Sequence, residues 1–277
     1  MNKLRVGIIG LGFVGGSILK SFKLKKCLVK GYDLNKDSDT FSDTMESDIV
    51  FLCLPTIYNQ EKKEYDKSSI MSICNDLSNN NYFGLVIIKS TVEPTTIDNL
   101  SKTFSNLKFI HNPEFLTAST AFDDFHNQNH IVLGKSENVT DENMNILIEF
   151  YKTYYPDAEI SLCSSRESES MKIFANSFYS VKIQFFNEMY ALCQATGSDY
   201  NTVKDLMLKN GWINPMHTMV PGTDGKLSYG GMCFPKDTNA LNEYLKKEYS
   251  EENLKKTLQK WLSNILKNYF LRGLLLV

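Results

Sequence analysis

Paired cysteines are missing from this sequence: the six that occur, Cys27, Cys53, Cys74, Cys163, Cys193 and Cys233, form no CxxC and no Cys/His metal spacing. That excludes a small disulfide scaffold, argues against a zinc site and suits a reducing compartment. An excess of one charge is missing too. The 30 Lys and Arg are interspersed with 32 Asp and Glu for a net charge of −2, so no basic stripe exists and a nucleic-acid partner is not expected. No apolar run approaches the roughly 20 residues that span a bilayer, and no signal-peptide pattern precedes the first strand-like segment. No membrane partner is expected, and a soluble, cytoplasmic protein is. Internal repeats and low-complexity tracts are also absent. What remains is an ordinary chain of 277 residues, 42% hydrophobic and 22% charged, long enough for two modest domains.

Through the first ~160 residues, strand-length apolar runs alternate with amphipathic helical segments, the pattern of a parallel sheet covered on both faces. Strands are predicted at 4–9, 28–32, 49–54, 85–88, 108–110, 130–134 and 159–162, and helices at 12–22, 67–77, 95–104 and 142–154. Beyond Ser164 the pattern becomes helical. A long helix over about 167–195 carries a broad apolar surface that includes Phe174, Phe178, Val181, Phe185 and Phe186 and calls for a partner. Gly197 and Gly211 suit helix ends, and Ser198 or Asp199 suits the cap of a helix between them. A Gly/Pro-rich loop spans 211–235. Helical patterns resume near Asp237 and again from Glu251, where Leu254, Leu258, Trp261, Leu262, Ile265 and Leu266 share helical spacing.

The first strand runs into Gly10-Leu11-Gly12-Phe13-Val14-Gly15, a GxGxxG turn that opens a helix; Asp33 follows 18 residues after Gly15, at the end of the second strand. Such a turn brings backbone against a pyrophosphate and aims a helix N-terminus at it. The expected fold is therefore α/β: a Rossmann-type doubly wound parallel sheet over 1–164, binding NAD, then an all-helical domain over 165–277 built on the long central helix. Asp33 would accept hydrogen bonds from the adenosine ribose and repel a 2′-phosphate, which favours NAD over NADP. The lesser alternative is a turn former ahead of Asn35.

In the second half, Gly230-Gly231-Met232-Cys233-Phe234-Pro235-Lys236-Asp237 sets a thiol among glycines just ahead of a predicted helix, whose dipole would favour a thiolate. Taken alone, such a cysteine is more often a small buried residue than a nucleophile. With Gly10 to Gly15, Leu52-Cys53-Leu54-Pro55-Thr56, Ser90-Thr91-Val92, Asn112-Pro113-Glu114-Phe115-Leu116, and Lys172 with Asn176, this segment resembles the UDP-glucose/GDP-mannose dehydrogenase family, in that family's motif order across about residues 3–245.

The resemblance implies a nucleotide-sugar substrate, UDP-glucose first among the candidates, oxidised twice at its C6 alcohol by two NAD+. Cys233 would carry the thiohemiacetal and thioester intermediates. Lys172 and Asn176, four apart on the long helix, would stabilise an oxyanion. Glu114, Asp237 and Thr91 would arrange water and move protons. Cofactor contacts are implied from the glycine turn with Phe13 and Val14, and from Asp33, Lys36, Pro55, Thr56 and Thr91. Substrate contacts are implied from Phe115, Leu116, Thr117, Lys172, Asn176, Tyr229 and Gly231. Lys226 or His217 would add a phosphate contact across a homodimer formed on the long helix. The Phe115-Leu116 stretch is expected to be buried, and no metal is expected.

Two features depart from the family. Ala118 stands where a second glutamate is usual, and only 40 residues follow Asp237, so a short form without the C-terminal UDP-binding domain is expected. Three readings stay open: an active short dehydrogenase, an NAD-binding subunit of weak or no turnover, and a structural dimer.

Overall fold

The computed structural model describes residues 3–248. The helical pattern expected from Glu251 onward lies outside the described residues. By internal contacts the chain divides into one unit of Met1–Ile57 with Tyr65–Lys172 and another of Tyr58–Glu64 with Ile173–Val277.

The first unit alternates strands and helices. In chain order they are β1 (Arg5–Ile9), α1 (Phe13–Leu24), β2 (Leu28–Tyr32), α2 (Phe41–Met45) and β3 (Ile49–Leu52). The two-stranded hairpin of β4 (Tyr58–Asn59) and β5 (Glu64–Tyr65) belongs to the second unit apart from Tyr65, and the first unit goes on with α3 (Ser68–Asn79), β6 (Leu85–Ile88), α4 (Thr96–Thr103) and β7 (Lys108–His111). α5 (Ala121–His126), β8 (His130–Lys135), α6 (Asp141–Tyr154), β9 (Glu159–Ser164) and the start of α7 (Ser165–Thr196) complete it. Seven strands form one sheet in the order β2-β1-β3-β6-β7-β8-β9. The reversal of order between β1 and β3 places the glycine turn at the carboxyl edge of the sheet, where doubly wound folds bind ligands.

Period-two alternation fixes the two faces. On β3, Ile49 and Phe51 join Val6, Ile8, Phe22, Phe150 and Tyr151 in one core cluster, while Val50 and Leu52 join Ile70, Leu77, Ile97 and Phe109 in the other. Both faces are helix-covered, so β3 and β6 are apolar throughout.

The sheet is not parallel throughout, as the sequence pattern had suggested. β8 runs antiparallel to β7, pairing Ile110 with Lys135 and His111 with Gly134, and β9 then runs parallel to β8. Residues 112–129, which include the six-residue α5, make the connection from β7 to β8. Three short elements, α2, the β4–β5 hairpin and α5, had no periodicity long enough to be read. α2 is held by a capping box in which the Thr40 hydroxyl accepts the Asp43 N–H and the Asp43 carboxylate accepts the Thr40 N–H.

The second unit contains the greater part of α7, then α8 (Tyr200–Leu208) and α9 (Phe234–Glu248). Gly197, at φ +72°, ends α7, and the Asp199 carboxylate caps α8 by accepting the Thr202 N–H at 2.7 Å. Phe186, Cys193, Tyr200 and Val220 form its small core, and the Tyr200 hydroxyl donates to the Thr218 carbonyl at 2.7 Å.

α7 is amphipathic in the unusual sense. Its polar stripe, Ser165, Glu169, Lys172, Asn176, Ser180, Gln184 and Asn187, is buried, whereas Phe174, Phe178, Phe185 and Leu192 are each more than half exposed.

Candidate functional site

The glycine turn shows what each glycine is for. A Cβ on Gly15 would sit 1.8 Å from the Gly10 carbonyl oxygen, so this position permits the close packing of α1 on β1. Gly10 has φ +90°, and its Cβ would lie 2.5 Å from the Cys53 carbonyl oxygen. Gly12 differs, because a Cβ there meets nothing within 4 Å. No neighbour in the chain accounts for its missing side chain. It is also the N-cap of α1 and offers no side-chain cap, which leaves the helix's first N–H groups facing open space with the positive end of the helix dipole. That cradle fits a dinucleotide pyrophosphate. Phe13 is exposed and Val14 half-buried beside it.

Asp33 forms the turn ahead of Asn35 and also bonds the glycine turn. One carboxylate oxygen accepts the Asn35 N–H at 2.9 Å, the other the Leu11 N–H at 2.7 Å, and these bonds hold the carboxyl below its ordinary pKa. A charged carboxylate thus stands fixed beside the glycine turn. Lys36 donates its ammonium to the Leu11 carbonyl from the other side. The carboxyl ends of β3 and β6 are stitched together: the Thr56 hydroxyl donates to the Thr91 carbonyl at 2.8 Å, and the Ser90 hydroxyl to the Leu54 carbonyl at 2.6 Å. Thr56 and Thr91 are buried and Pro55 is exposed.

A second cluster of the first unit surrounds Glu114. Its Oε1 lies 3.4 Å from the Lys172 ammonium, with the two side chains 11% and 6% exposed, and its Oε2 accepts the Leu116 N–H at 2.6 Å. The expectation of a buried Phe115 is corrected here. Phe115 is 46% exposed because its ring covers the Lys172 ammonium, 5.3 Å from the centroid, and stacks on His130. Thr117 and Ala118 are exposed, and Asp124 holds this loop by accepting the Thr117 N–H at 2.8 Å.

In the second unit, α9 begins at Phe234, so the Asp237 N–H bonds to the Cys233 carbonyl at 3.0 Å and the exposed Cys233 stands at the helix N-terminus. None of the six cysteines is in a disulfide. Asp237 is fully buried. One of its oxygens accepts Asn176 Nδ2 at 2.6 Å and the other the Lys236 ammonium at 2.6 Å. Tyr229 is buried, Gly231 has φ +75° with open space where a Cβ would go, and Lys226 is exposed at a tight turn. His217 is not solvated as a loop residue might be; its ring packs against Tyr179 and Phe234, and burial lowers its pKa. Among the described residues no group of three His, Cys, Asp or Glu could hold a metal, and no helix is long and apolar enough to cross a membrane.

Residues 19–155 match the NAD-binding domain of the UDP-glucose/GDP-mannose dehydrogenase family, and residues 166–261 match that family's central domain. The chain belongs to the UDP-glucose/GDP-mannose dehydrogenase family. Its first unit carries the family's NAD-binding domain, and NAD is the family's cofactor there. A UDP-glucose 6-dehydrogenase of Rickettsia bellii is 34% identical over 61% of this chain and 38% of its own length. One of Rhizobium meliloti is 29% identical over 75% of this chain and 48% of its own. The chain thus spans half or less of these relatives. The crystal structure of a UDP-glucose dehydrogenase from the archaeon Pyrobaculum islandicum shares the fold at TM-score 0.81 and 22% identity, covering 96% of this chain and 68% of that one.

Two buried charged groups near these residues, Lys89 and Glu169, went unread in the sequence, whereas His111 was read there as a histidine without a catalytic partner pattern. Lys89 closes the apolar run of β6 yet is only 3% exposed. Glu169 is fully buried on α7 and accepts the Thr95 and Ile97 N–H groups, each at 2.7 Å, at the start of α4; burial pushes its carboxyl up to about 8. His111 is fully buried between Ser168 and the Ser90 carbonyl, and burial lowers its pKa to about 3, so it is a neutral packing group. A polar stripe at helical spacing along 165–187 was the available signal for Glu169. For Lys89 it was a charge at the end of an otherwise buried strand.

Proposed function

We propose that this protein is a cytoplasmic, NAD-dependent nucleotide-sugar 6-dehydrogenase, with UDP-glucose the first substrate to test. The observation that carries the reading is the Asn176–Asp237 hydrogen bond. It joins a buried amide of the long helix to a buried carboxylate one turn after an exposed cysteine at a helix N-terminus. Gly10, Gly12, Phe13, Val14, Gly15, Asp33, Lys36, Pro55, Thr56 and Thr91 hold the cofactor. Two NAD+, bound one after the other, would each accept one of the two hydrides that leave C6.

Cys233 acts on the aldehyde. Its thiolate adds to C6, a C–S bond forms as the C=O π bond breaks, and the former carbonyl oxygen takes up a proton to become the hydroxyl of a thiohemiacetal. After oxidation of that carbon to a thioester, water adds, the C–S bond breaks, and thiolate and acid are released. Lys172 and Asn176 donate hydrogen bonds to the C6 oxygen as its negative charge develops. Glu114, Asp237 and Thr91 orient the water and take its proton. Phe115, Leu116, Thr117, Tyr229 and Gly231 hold the sugar, and Lys226 adds a phosphate contact. The exposed apolar face of α7 supports a homodimer, since Phe174, Phe178, Phe185 and Leu192 form a stripe at helical spacing. The 1–164 and 165–277 segments act as cofactor domain and dimerising catalytic domain.

Ala118 favours a second reading, an NAD-binding subunit of weak or no turnover, because an exposed methyl stands there in place of a carboxylate. Cys233→Ser separates the two. The variant should bind NAD+ like the parent, keep its melting temperature and stop releasing acid, because an ester intermediate hydrolyses more slowly than a thioester. Acid release at the parental rate would falsify covalent catalysis. Failure of both proteins to turn over any nucleotide sugar would leave the subunit reading as the better one.

A further inference from the structure

Lys89 is a buried charge that the proposed chemistry leaves unused. Its ammonium donates to Asn112 Oδ1 at 2.9 Å and to the Pro113 carbonyl at 3.4 Å. The Asn112 side chain is fixed twice more: the Tyr151 hydroxyl donates to the same oxygen at 2.5 Å, and Nδ2 donates to the Val132 carbonyl at 2.8 Å. Glu114 follows Pro113 in the chain. An apolar side chain would fill the same space without the desolvation cost of a buried ammonium. What only the ammonium supplies is directed N–H bonds to the turn and a positive charge behind the carboxylate.

We propose that Lys89 is a positioning residue: by clamping Asn112 and Pro113 it fixes the turn that aims the Glu114 carboxylate. The proposal rests on the reading of Glu114 as the group that handles water in thioester hydrolysis.

The surroundings make the clamp sensitive to pH. Lys89 faces Cys53 beyond β3, Glu114 in the turn, Lys172 on α7, His111 on β7 and the Phe125 ring of α5, whose centroid is 5.8 Å away. Burial pushes the ammonium down to about 8, and Lys172 adds to the fall while Cys53 and Glu114 oppose it. Above that pH the clamp loses its charge and one donor.

The Leu116 amide reports on Glu114 directly, since its N–H donates to Oε2 at 2.6 Å. In 15N-labelled wild-type protein its chemical shift should move with a midpoint near pH 8. It should stay flat in Lys89→Arg, whose guanidinium does not lose its proton, and sit at a displaced value at every pH in Lys89→Met. A wild-type amide that does not titrate between pH 7 and 9, or a Lys89→Met amide with the wild-type shift, overturns the proposal. The wild-type titration needs no variant to fold, and none of these readings needs turnover. With UDP-glucose and NAD+, Lys89→Met should slow acid release at least tenfold while NADH still forms up to the thioester, and Lys89→Arg should restore release to within a few-fold. Equal loss of every step, or none, counts against the proposal. If the wild type forms no NADH, the functional reading fails, and the amide titration still decides the role of Lys89.

Discussion

Gly12 and Gly15 lie three residues apart in one turn, and the structure assigns them different costs on substitution. Gly15→Ala puts a methyl 1.8 Å from the Gly10 carbonyl oxygen, so backbone must move by more than 1 Å. Overpacking of that kind costs about 3 kcal/mol or more. For a chain of this size that lowers the melting temperature by roughly 6–12 °C. Gly12→Ala meets no atom within 4 Å, and its φ of −69° suits alanine. There a poorer N-cap costs about 0.5–1.5 kcal/mol, and the stiffer unfolded chain returns about 0.4–1. Stability should change by less than about 1 kcal/mol. The methyl instead occupies the path of the pyrophosphate to the N–H groups of α1, and losing one or two charge-assisted hydrogen bonds weakens NAD+ binding by about 2–4 kcal/mol. That is roughly 30- to 1000-fold in Kd. Circular dichroism melts and titration calorimetry of both variants measure the two effects separately. Gly12→Ala protein that binds NAD+ like the parent, or that melts as early as Gly15→Ala, refutes the assignment of the open cradle to the cofactor.

Thr95 is a β-branched residue at φ +77°, a left-handed conformation that costs about 1–2 kcal/mol. After the entropy glycine adds to the unfolded chain, Thr95→Gly should stabilise by about 0.5–1 kcal/mol in urea melts; destabilisation would show the strain estimate wrong. Asp33→Ala should narrow the preference for NAD+ over NADP+ and, by leaving the Leu11 and Asn35 N–H groups without their acceptor, cost about 1–2 kcal/mol of stability. Calorimetry showing tighter NADP+ binding by the parent would contradict the role given to its charge. Phe178→Asp with Phe185→Asp removes two apolar anchors from each copy of α7, each worth about 1.5–3 kcal/mol when buried, so a dimer should dissociate in sedimentation at micromolar concentration. A parent that sediments as a monomer at that concentration would rule out the dimer on α7.

Long periodic elements and spaced motifs were legible in the sequence, because each rests on local chemistry. β1, the glycine turn and α1 follow from an apolar run and three glycines, and α7 from one long helical pattern. The antiparallel step at β8 was not legible. The connection before it holds only α5, a six-residue helix too short to show a period. Phe115 was misread as core because apolar neighbours suggested burial, whereas its ring covers a charge. Lys89 and Glu169 went unread because a lone charge beside an apolar segment looks solvated until its partners, distant in sequence, are brought to it. At α7 the polar stripe, not the apolar one, faces inward, so periodicity gave the helix while its orientation came from residues elsewhere in the chain.

Two-step oxidation of a nucleotide sugar at one carbon through Cys233 is tested most directly by the stoichiometry of NADH to acid when purified wild-type protein is given NAD+ with UDP-glucose, and in parallel with GDP-mannose and other nucleotide sugars. Two NADH per acid with no free aldehyde is the expected result for at least one of them. One NADH per substrate with aldehyde released, or no NADH from any sugar by a protein that binds NAD+, would contradict the account.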